Sequence, residues 1–360
     1  MSGRRRRQPT LDDVAQAVGV SSATVSNAYN RPDQLSAALR EEVMRAAKRI
    51  GYAGPHPVAR SLATKRAGAI AFMLDTGLSA AFSDPALSIT LDALAAEVDG
   101  EGHALLLLPG GDDGGPKAER VLAAQADLAV AYSLADDAPA LRAVGDRGLP
   151  LVIIDQPAVT GAARVTIDDK GGAAAAAQHL LDLGHRRFGI LSAQCLSQPR
   201  GGPMPVEQAM RSRFGDNRDR LAGYVETLAA AGVRAEDVPV WETSGLSRDQ
   251  AVDAATRLLG TDPAPTALLC VSDELAIGAM TAARRRGLGI PGDLSVVGFD
   301  DTPPARWSEP ALTTIRQDLV AKGRTAGELS LRLLAGRKPP PPVTLPVELV
   351  IRASTGPAPR

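Results

Sequence analysis

Residues 11–30 read LDDVAQAVGVSSATVSNAYN, and the spacing of their small and apolar residues decides how the amino-terminal region folds. Val14, Ala15 and Val18 recur at i, i+1 and i+4, one apolar stripe of a helix. Thr10 stands where an N-cap is needed, and Asp12 and Asp13 follow in the first turn, where carboxylates favour the helix dipole. Gly19 falls where the chain must turn with positive φ. Ser21 can cap a second helix whose Val25 and Ala28 face the first, and the small Ala15 lets the two cross closely. A third helix, Ser36 to Ile50, buries Leu39, Val43, Ala46, Ala47 and Ile50 against the pair. This is the helix-turn-helix pattern, which lays its second helix in the major groove of duplex DNA. The exposed face of that helix is then Ser22, Ala23, Thr24, Ser26 and Asn27. An Asn amide can read adenine through two hydrogen bonds, and Ser or Thr can contact bases or phosphates. On the residues alone, a three-helix bundle with no nucleic-acid role is the plainer alternative.

The charge distribution favours the first reading. The chain of 360 residues has a net charge of −1, but residues 1–66 hold 12 Lys/Arg and 5 Asp/Glu while the rest hold 28 and 36. A basic head on an acidic body points the head toward a polyanion. Residues 1–9, with Arg4–Arg7, form a basic arm that reads equally well as a solvated tail. Hydrophobic residues make up 44% and aromatics only 3%, so Ala, Leu and Val must do most of the packing. Cys195 and Cys270 are far apart and in no metal-like spacing, which fits a reducing cytoplasm. No secretory signal is expected from MSGRRRRQPT, and runs such as Leu105–Leu108 are too short to span a membrane.

From Ala67 onward the pattern becomes α/β. Strand-length apolar runs are Ala69–Leu74, His103–Leu108, Leu128–Tyr132, Leu151–Asp155, Arg164–Ile167, Phe188–Leu191, Thr266–Val271 and Leu294–Phe299. Helical stretches between them include Thr90–Asp99, Gly171–Leu183, Arg220–Ala231, Asp249–Leu259 and Glu274–Arg286. Such alternation predicts parallel sheets covered on both faces, and so many strands suit two sheets. Thr313–Gln317 and Val347–Ile351 are extended and placed to close the two lobes. Ligands of such folds bind at the carboxyl ends of strands, where Asp155, Asp300, Ser272 and Asp273 stand, with Arg220 opening a helix. Carboxylates accept from vicinal hydroxyls and Arg donates a fork. Asp155 and Asp300 also admit a reading as structural caps. Asp273 is expected to cap the helix near Glu274, Asp301 to hold a turn, and Trp241 to pack. His179 and His185 sit at a helix end and turn without a metal cluster, and no metal or cofactor is expected.

TLDDVAQAVGVSSATVSNAYNRP, LSAALREEVMRAAKRIGY and VARSLATKRAGAIAF closely resemble the amino-terminal part of lac-repressor (LacI/GalR) family regulators. HLLDLGHRRFGIL, RLAGYVETLAAAG, SDELAIGAM, LSVVGFDDTPPARWSEPALTTIRQD and ELVIRAST continue the resemblance through nearly the whole chain in order. It implies a helix-turn-helix domain over 10–53, a hinge over 54–66, and a two-lobed periplasmic-binding-protein-like body over 67–360. It implies a homodimer on a near-palindromic operator, read by Ser22, Ala23 and Asn27, with Thr10, Ser21, Thr24 and Ser26 also expected at the DNA. It implies a hinge helix, Val58 to Ala63, that wedges Leu62 into the minor groove with Ala59 near the bases. Arg60, Lys65 and Arg66 would touch phosphates. The resemblance assigns contacts with a small sugar-like effector to Asp155, Arg220, Ser272, Asp300 and Gln317, with Phe82 and Trp307 as candidates to line it. This sequence departs in three places: Asn27 stands where Arg is common, Ala53–Pro57 runs one residue long, and Cys195–Asn217 is long and rich in Pro and Gly. That last segment reads either as a cover for the ligand or as a disordered surface insertion.

Three functions are compatible with parts of this sequence. An effector-controlled repressor uses the head, the hinge and the body together. A solute-binding transport protein uses the body only and leaves the basic head unexplained. An enzyme with a sugar-sized cleft finds no Ser/His/Asp constellation, phosphate loop or metal spacing to support it. The expectation is a cytoplasmic, non-enzymatic DNA-binding regulator. No heptad helix follows Ile351 to build a tetramer.

Overall fold

The computed structural model describes residues 9–54, 61, 65–111, 114–196, 201–243 and 247–360. The chain divides into two compact units, Met1–Gly68 and Ala69–Arg360.

In the first unit the helices are Leu11–Val18, Ser22–Asn30 and Ala37–Ile50. Their core is Val14, Ala15, Val25, Ala28, Val43, Ala46 and Ala47, with Leu39 and Ile50 only partly covered. Gly19 and Gly51 end two of the helices with φ of 73° and 78°, the left-handed region where a Cβ is penalised. The Tyr29 and Tyr52 rings meet edge to face at 5.9 Å and close the base of the bundle.

The second unit is two lobes. The chain lays down β1 (Ala69–Leu74), β2 (Ala104–Leu108), β3 (Leu128–Tyr132), β4 (Leu151–Ile154) and β5 (Ala163–Ile167). It crosses over for β6 (Phe188–Ser192), β7 (Gly202–Met204), β8 (Val240–Glu242), β9 (Ala267–Cys270), β10 (Ser295–Asp300) and β11 (Thr313–Gln317). It returns for β12 (Val343–Leu345) and crosses a last time for β13 (Val347–Val350). The first sheet runs β12-β5-β4-β3-β1-β2, with every described pairing parallel. The second runs β13-β11-β10-β9-β6-β8-β7, with its two edge strands antiparallel to their neighbours. Central strands such as β3 and β4 are buried throughout, while the edge strand β2 alternates exposed and covered, as strands with two and one packed faces should.

The sequence pattern misses β7, β8 and β12, each three residues long and at or next to a sheet edge. It also misses the helix Leu319–Leu334. Thr313–Gln317 and Val347–Val350 do not close one lobe each; they pair with one another in the second sheet. The overlooked β12 closes the first. Trp241 packs against the second core, as expected.

With so few aromatics, the helices pack by close approach. A Cβ on Gly223 would come within 2.3 Å of Lys170 O, and one on Gly323 within 2.1 Å of Thr90 O. No side chain fits without separating the helices. Gly223→Ala is therefore expected to lower the unfolding free energy of the body by about 1–3 kcal/mol, read as a shifted urea midpoint at unchanged m-value.

Candidate functional site

In the first unit the caps expected from the sequence are formed. Thr10 and Asp13 make a capping box, with Thr10 N donating to Asp13 Oδ2 at 2.7 Å. Ser21 caps the second helix by accepting from Thr24 N at 3.1 Å. On that helix Ser22 and Ala23 are exposed, and Thr24, Ser26 and Asn27 are half-buried. Ser22 Oγ donates to Asp12 Oδ1, so the first helix orients the hydroxyl that the sequence assigns to base contact. Ser26 accepts from Asn30. Lys65 and Arg66 are exposed. Ala59, Arg60 and Leu62 lie outside the described residues.

In the body, Asp155, Arg220, Asp300 and Gln317 converge where the lobes meet. Asp155 follows β4 with φ of 63°. Its carboxylate accepts from Lys322 Nζ at 2.7 and 2.9 Å, and that lysine is only 1% exposed. Lys322 also donates to Gln317 Oε1. Gln317 Nε2 in turn donates to Asp300 Oδ1 at 2.6 Å. Arg220 Nε donates to Asp169 at 2.7 Å, its Nη1 lies 3.7 Å from Asp300, and its guanidinium stacks on the Phe299 ring at 3.8 Å. A further donation to Val271 O at 2.6 Å fixes the fork.

Other predicted residues are placed differently. Ser272 is the N-cap of the helix Asp273–Arg285, accepting from Leu275 N. Asp273, expected as that cap, is instead a buried acceptor for Thr302 and Thr314 and ties β10 to β11. Asp301 holds a turn, as expected, with Arg306, Arg316 and Arg352 around it. Phe82 and Trp307 are on the surface, 64% and 79% exposed. His185 is buried between Thr266, Ser295 and Gly356 O, and His179 bonds Thr355, so both hold the carboxyl-terminal tail. Among the described residues no His, Cys, Asp and Glu group is arranged to hold a metal. Where described, the segment Cys195–Asn217 is not a disordered insertion: it contains β7 and the helix Val206–Ala209.

Asp169 and Lys322 escaped the sequence reading. The residue directly after β5 is Asp168, which caps the next helix, so the strand-end rule stops one residue short of Asp169, the first residue of that helix. Lys322 lies on the unpredicted helix Leu319–Leu334 and carried no such signal.

Burial pushes Asp300 and Asp169 up to about 7, with Arg220 acting in the opposite sense on both. Burial also raises Asp75, to about 7. For Arg220 burial pulls the other way, and Asp169, Asp300 and Asp216 outweigh it, so it stays charged. One guanidinium lies between two buried carboxylates, and burial outweighs its attraction for both.

The amino-terminal region, residues 10–54, matches the model of bacterial regulatory proteins of the lacI family, and residues 177–355 match a periplasmic binding protein-like domain. The chain is 41% identical to an HTH-type transcriptional regulator of Mycolicibacterium smegmatis, with 90% of both chains covered. It belongs to the LacI family of DNA-binding transcriptional regulators. It is also 39% identical to the regulator IpsA of Corynebacterium glutamicum, over 92% of this chain and 93% of that one. Among solved structures it resembles a LacI-family regulator from C. glutamicum, with a TM-score of 0.75 and 34% identity over 97% and 99% of the chains. It also resembles the Lac repressor dimer bound to operator and the anti-inducer ONPF, with a TM-score of 0.78 and 27% identity over 97% and 100%. The CelR–cellobiose complex follows, with a TM-score of 0.68 and 26% identity over 96% and 100%.

Two outcomes follow for this LacI-family chain. Thr10→Ala removes the cap and should cost about 1 kcal/mol of head stability, read by calorimetry. The raised carboxyls bind protons in the folded state that they have released when unfolded, between the unfolded carboxyl range near 4 and about 7. Stability of the body must then fall as pH rises across that window. Asp300→Asn should flatten the dependence of Tm on pH between 5 and 7, whereas a slope equal to wild type would remove Asp300 from this role.

Proposed function

We propose that this protein is a homodimeric repressor in the bacterial cytoplasm whose operator affinity is set by a neutral, polyhydroxylated effector bound between the two lobes. The observation that carries the reading is the chain Lys322–Asp155 and Lys322–Gln317–Asp300, with Arg220 beside Asp300, at the carboxyl ends of strands from both lobes. Carboxylates that accept from vicinal hydroxyls and an Arg fork that donates to ring or hydroxyl oxygens suit a saccharide. The similar CelR–cellobiose complex supports a sugar as the class of ligand.

The charge balance narrows the ligand class. Asp75, Asp84, Asp155, Asp169, Asp216 and Asp300 act on one another across this region, against Arg220 and Lys322. Both cations are already committed to carboxylates. A sugar phosphate or sugar acid would bring another negative charge into a region with a carboxylate surplus. A neutral polyol replaces hydrogen bonds without adding charge.

We infer binding without turnover. Asp155 and Asp300 are engaged by Lys322 and Gln317, and burial raises the thiol pKa values of Cys195 and Cys270, away from nucleophilic use. Dimerisation follows from the head, which offers one recognition helix and so one half-site.

Selection of genomic duplex fragments by the purified full-length protein, at two salt concentrations, tests the reading. A near-palindromic sequence that survives the higher salt is expected. Asn27→Ala should weaken binding to it by about 1–3 kcal/mol and relax one base position in each half-site. Neutral saccharides should shift operator affinity and their phosphate esters should not. Fragments without a common sequence would defeat the regulator reading, and a response confined to the phosphate esters would defeat the ligand class.

A further inference from the structure

The long segment Cys195–Asn217 touches both lobes. Its first part belongs to the second lobe. β7 extends the sheet antiparallel to β8, pairing Gly202 with Glu242 and Met204 with Val240. Met204, Val206 and Ala209 are buried in the second core. Cys195 N donates to Glu242 Oε1 at 2.8 Å, and Arg213 N donates to Cys195 O at 2.9 Å, which closes the base of the segment.

Its second part belongs to the first lobe. Phe214 is 8% exposed and packs in the hydrophobic cluster of Met73, Ala131, Leu134 and Ile153. Asp136 N, just after β3, donates to Arg213 O at 2.9 Å. Arg213 Nη2 pairs with Asp137 at 2.6 Å, and Arg218 Nη1 pairs with Asp136 at 2.6 Å. Asp216 N donates to Gln156 Oε1 at 2.6 Å.

The placement of these contacts matters. The three crossovers between lobes leave from β5, β11 and β12, all at one edge of the sheets. β7 is the last strand at the opposite edge of the second sheet. The first-lobe contacts of the segment fall after β3, with β4 and β5 between it and the crossover edge, so the segment holds the lobes together at a second point apart from the crossovers. The helix it leads into, Gly215–Ala230, carries both Asp216 and Arg220.

We propose that Gly202–Asn217 is an interlobe clasp that sets the lobe spacing before any effector binds, with Arg213, Phe214 and Arg218 as positioning residues for the cleft. Two ion pairs with solvent access and one aromatic plug form a fastening that can open. It is tighter than the crossovers alone and weaker than a continuous core.

The test is the interlobe distance in the full-length protein without ligand. Asp146→Cys in the first lobe and Glu236→Cys in the second are exposed labelling sites, while both native cysteines are buried. Distances between spin labels at these sites should form one narrow distribution at low salt. Near 1 M salt the Debye length falls to about 3 Å. The wide-spaced population should then rise roughly two- to five-fold for each ion pair lost. R213E/R218E should produce the wide state at low salt, and adding D136R/D137R should return the distribution toward wild type. Phe214→Ala should widen it independently of salt. A distribution unmoved by salt and by every variant would overturn the clasp. So would a charge-swapped fourfold variant no closer to wild type than R213E/R218E. If the reversed variants do not fold, the salt titration of the otherwise unaltered sequence decides.

Discussion

Lys322 sits at the point where the two lobes of the body must agree. It belongs to the helix Leu319–Leu334, which follows a crossover from the second lobe and packs Ala326, Leu329 and Leu333 into the first core. Its ammonium meets Asp155 of the first lobe and Gln317 at the end of β11. A buried ion pair is not in itself a source of stability, because removing both charges from water offsets the attraction. Removing one partner alone is costly, since the other charge is left buried and uncompensated. The arrangement therefore specifies geometry more than it adds stability. Asp155, Gln317 and Asp300 cannot leave Lys322 and one another without stranding a charge or a buried acceptor, so these residues of the two lobes are held in register.

The legible parts of the sequence were those where local chemistry and packing point the same way. The caps Thr10 and Ser21, the turn at Gly19 and the central strands from Ala69 to Phe299 carry signals within a few residues. Asp155 and Asp300 could be placed because a polar residue directly after an apolar strand has few other reasons to be there. Short edge strands were not legible. Gly202–Met204 and Val343–Leu345 are defined by the neighbour they pair with, and three residues carry no period. Lys322 failed for a different reason. A lysine on an amphipathic helix normally faces water, and only the crossover turns this one inward. Ser272 and Asp273 show a finer miss. Both stand at a strand end, but the hydroxyl became the cap and the carboxylate went to β11, because Asp273 can reach two threonines and Ser272 cannot replace it there.

The Cys195–Asn217 segment shows how composition can mislead. Its prolines and glycines predicted a loop. Yet Pro203 stands on the outermost strand of its sheet, where a missing N–H is tolerated. The fold uses a segment that cannot sit in a sheet centre to extend its rim, and the freed end reaches the other lobe.

Backbone strain falls in the same place as the chemistry. The described non-glycine residues with positive φ in the body are Ser133, Asp155, Asp300 and Asp301, at 47°, 63°, 119° and 55°. All follow strands β3, β4 or end β10. Such conformations cost of order 1–3 kcal/mol each and persist only where the surroundings over-determine them. Here the surroundings can be named. Lys322 holds Asp155, Gln317 holds Asp300, and Arg306, Arg316 and Arg352 hold Asp301. Asp tolerates the left-handed region better than most residues because its short carboxylate bonds locally. A strand that ended in a relaxed conformation would carry its side chain on along the pleat. The turn to positive φ instead leaves the Asp155 carboxylate on Lys322 and the Asp300 carboxylate on Gln317. The charge network and the strained backbone are therefore one device: the ion pairs and hydrogen bonds compensate the strain, and the strain aims the groups that make them.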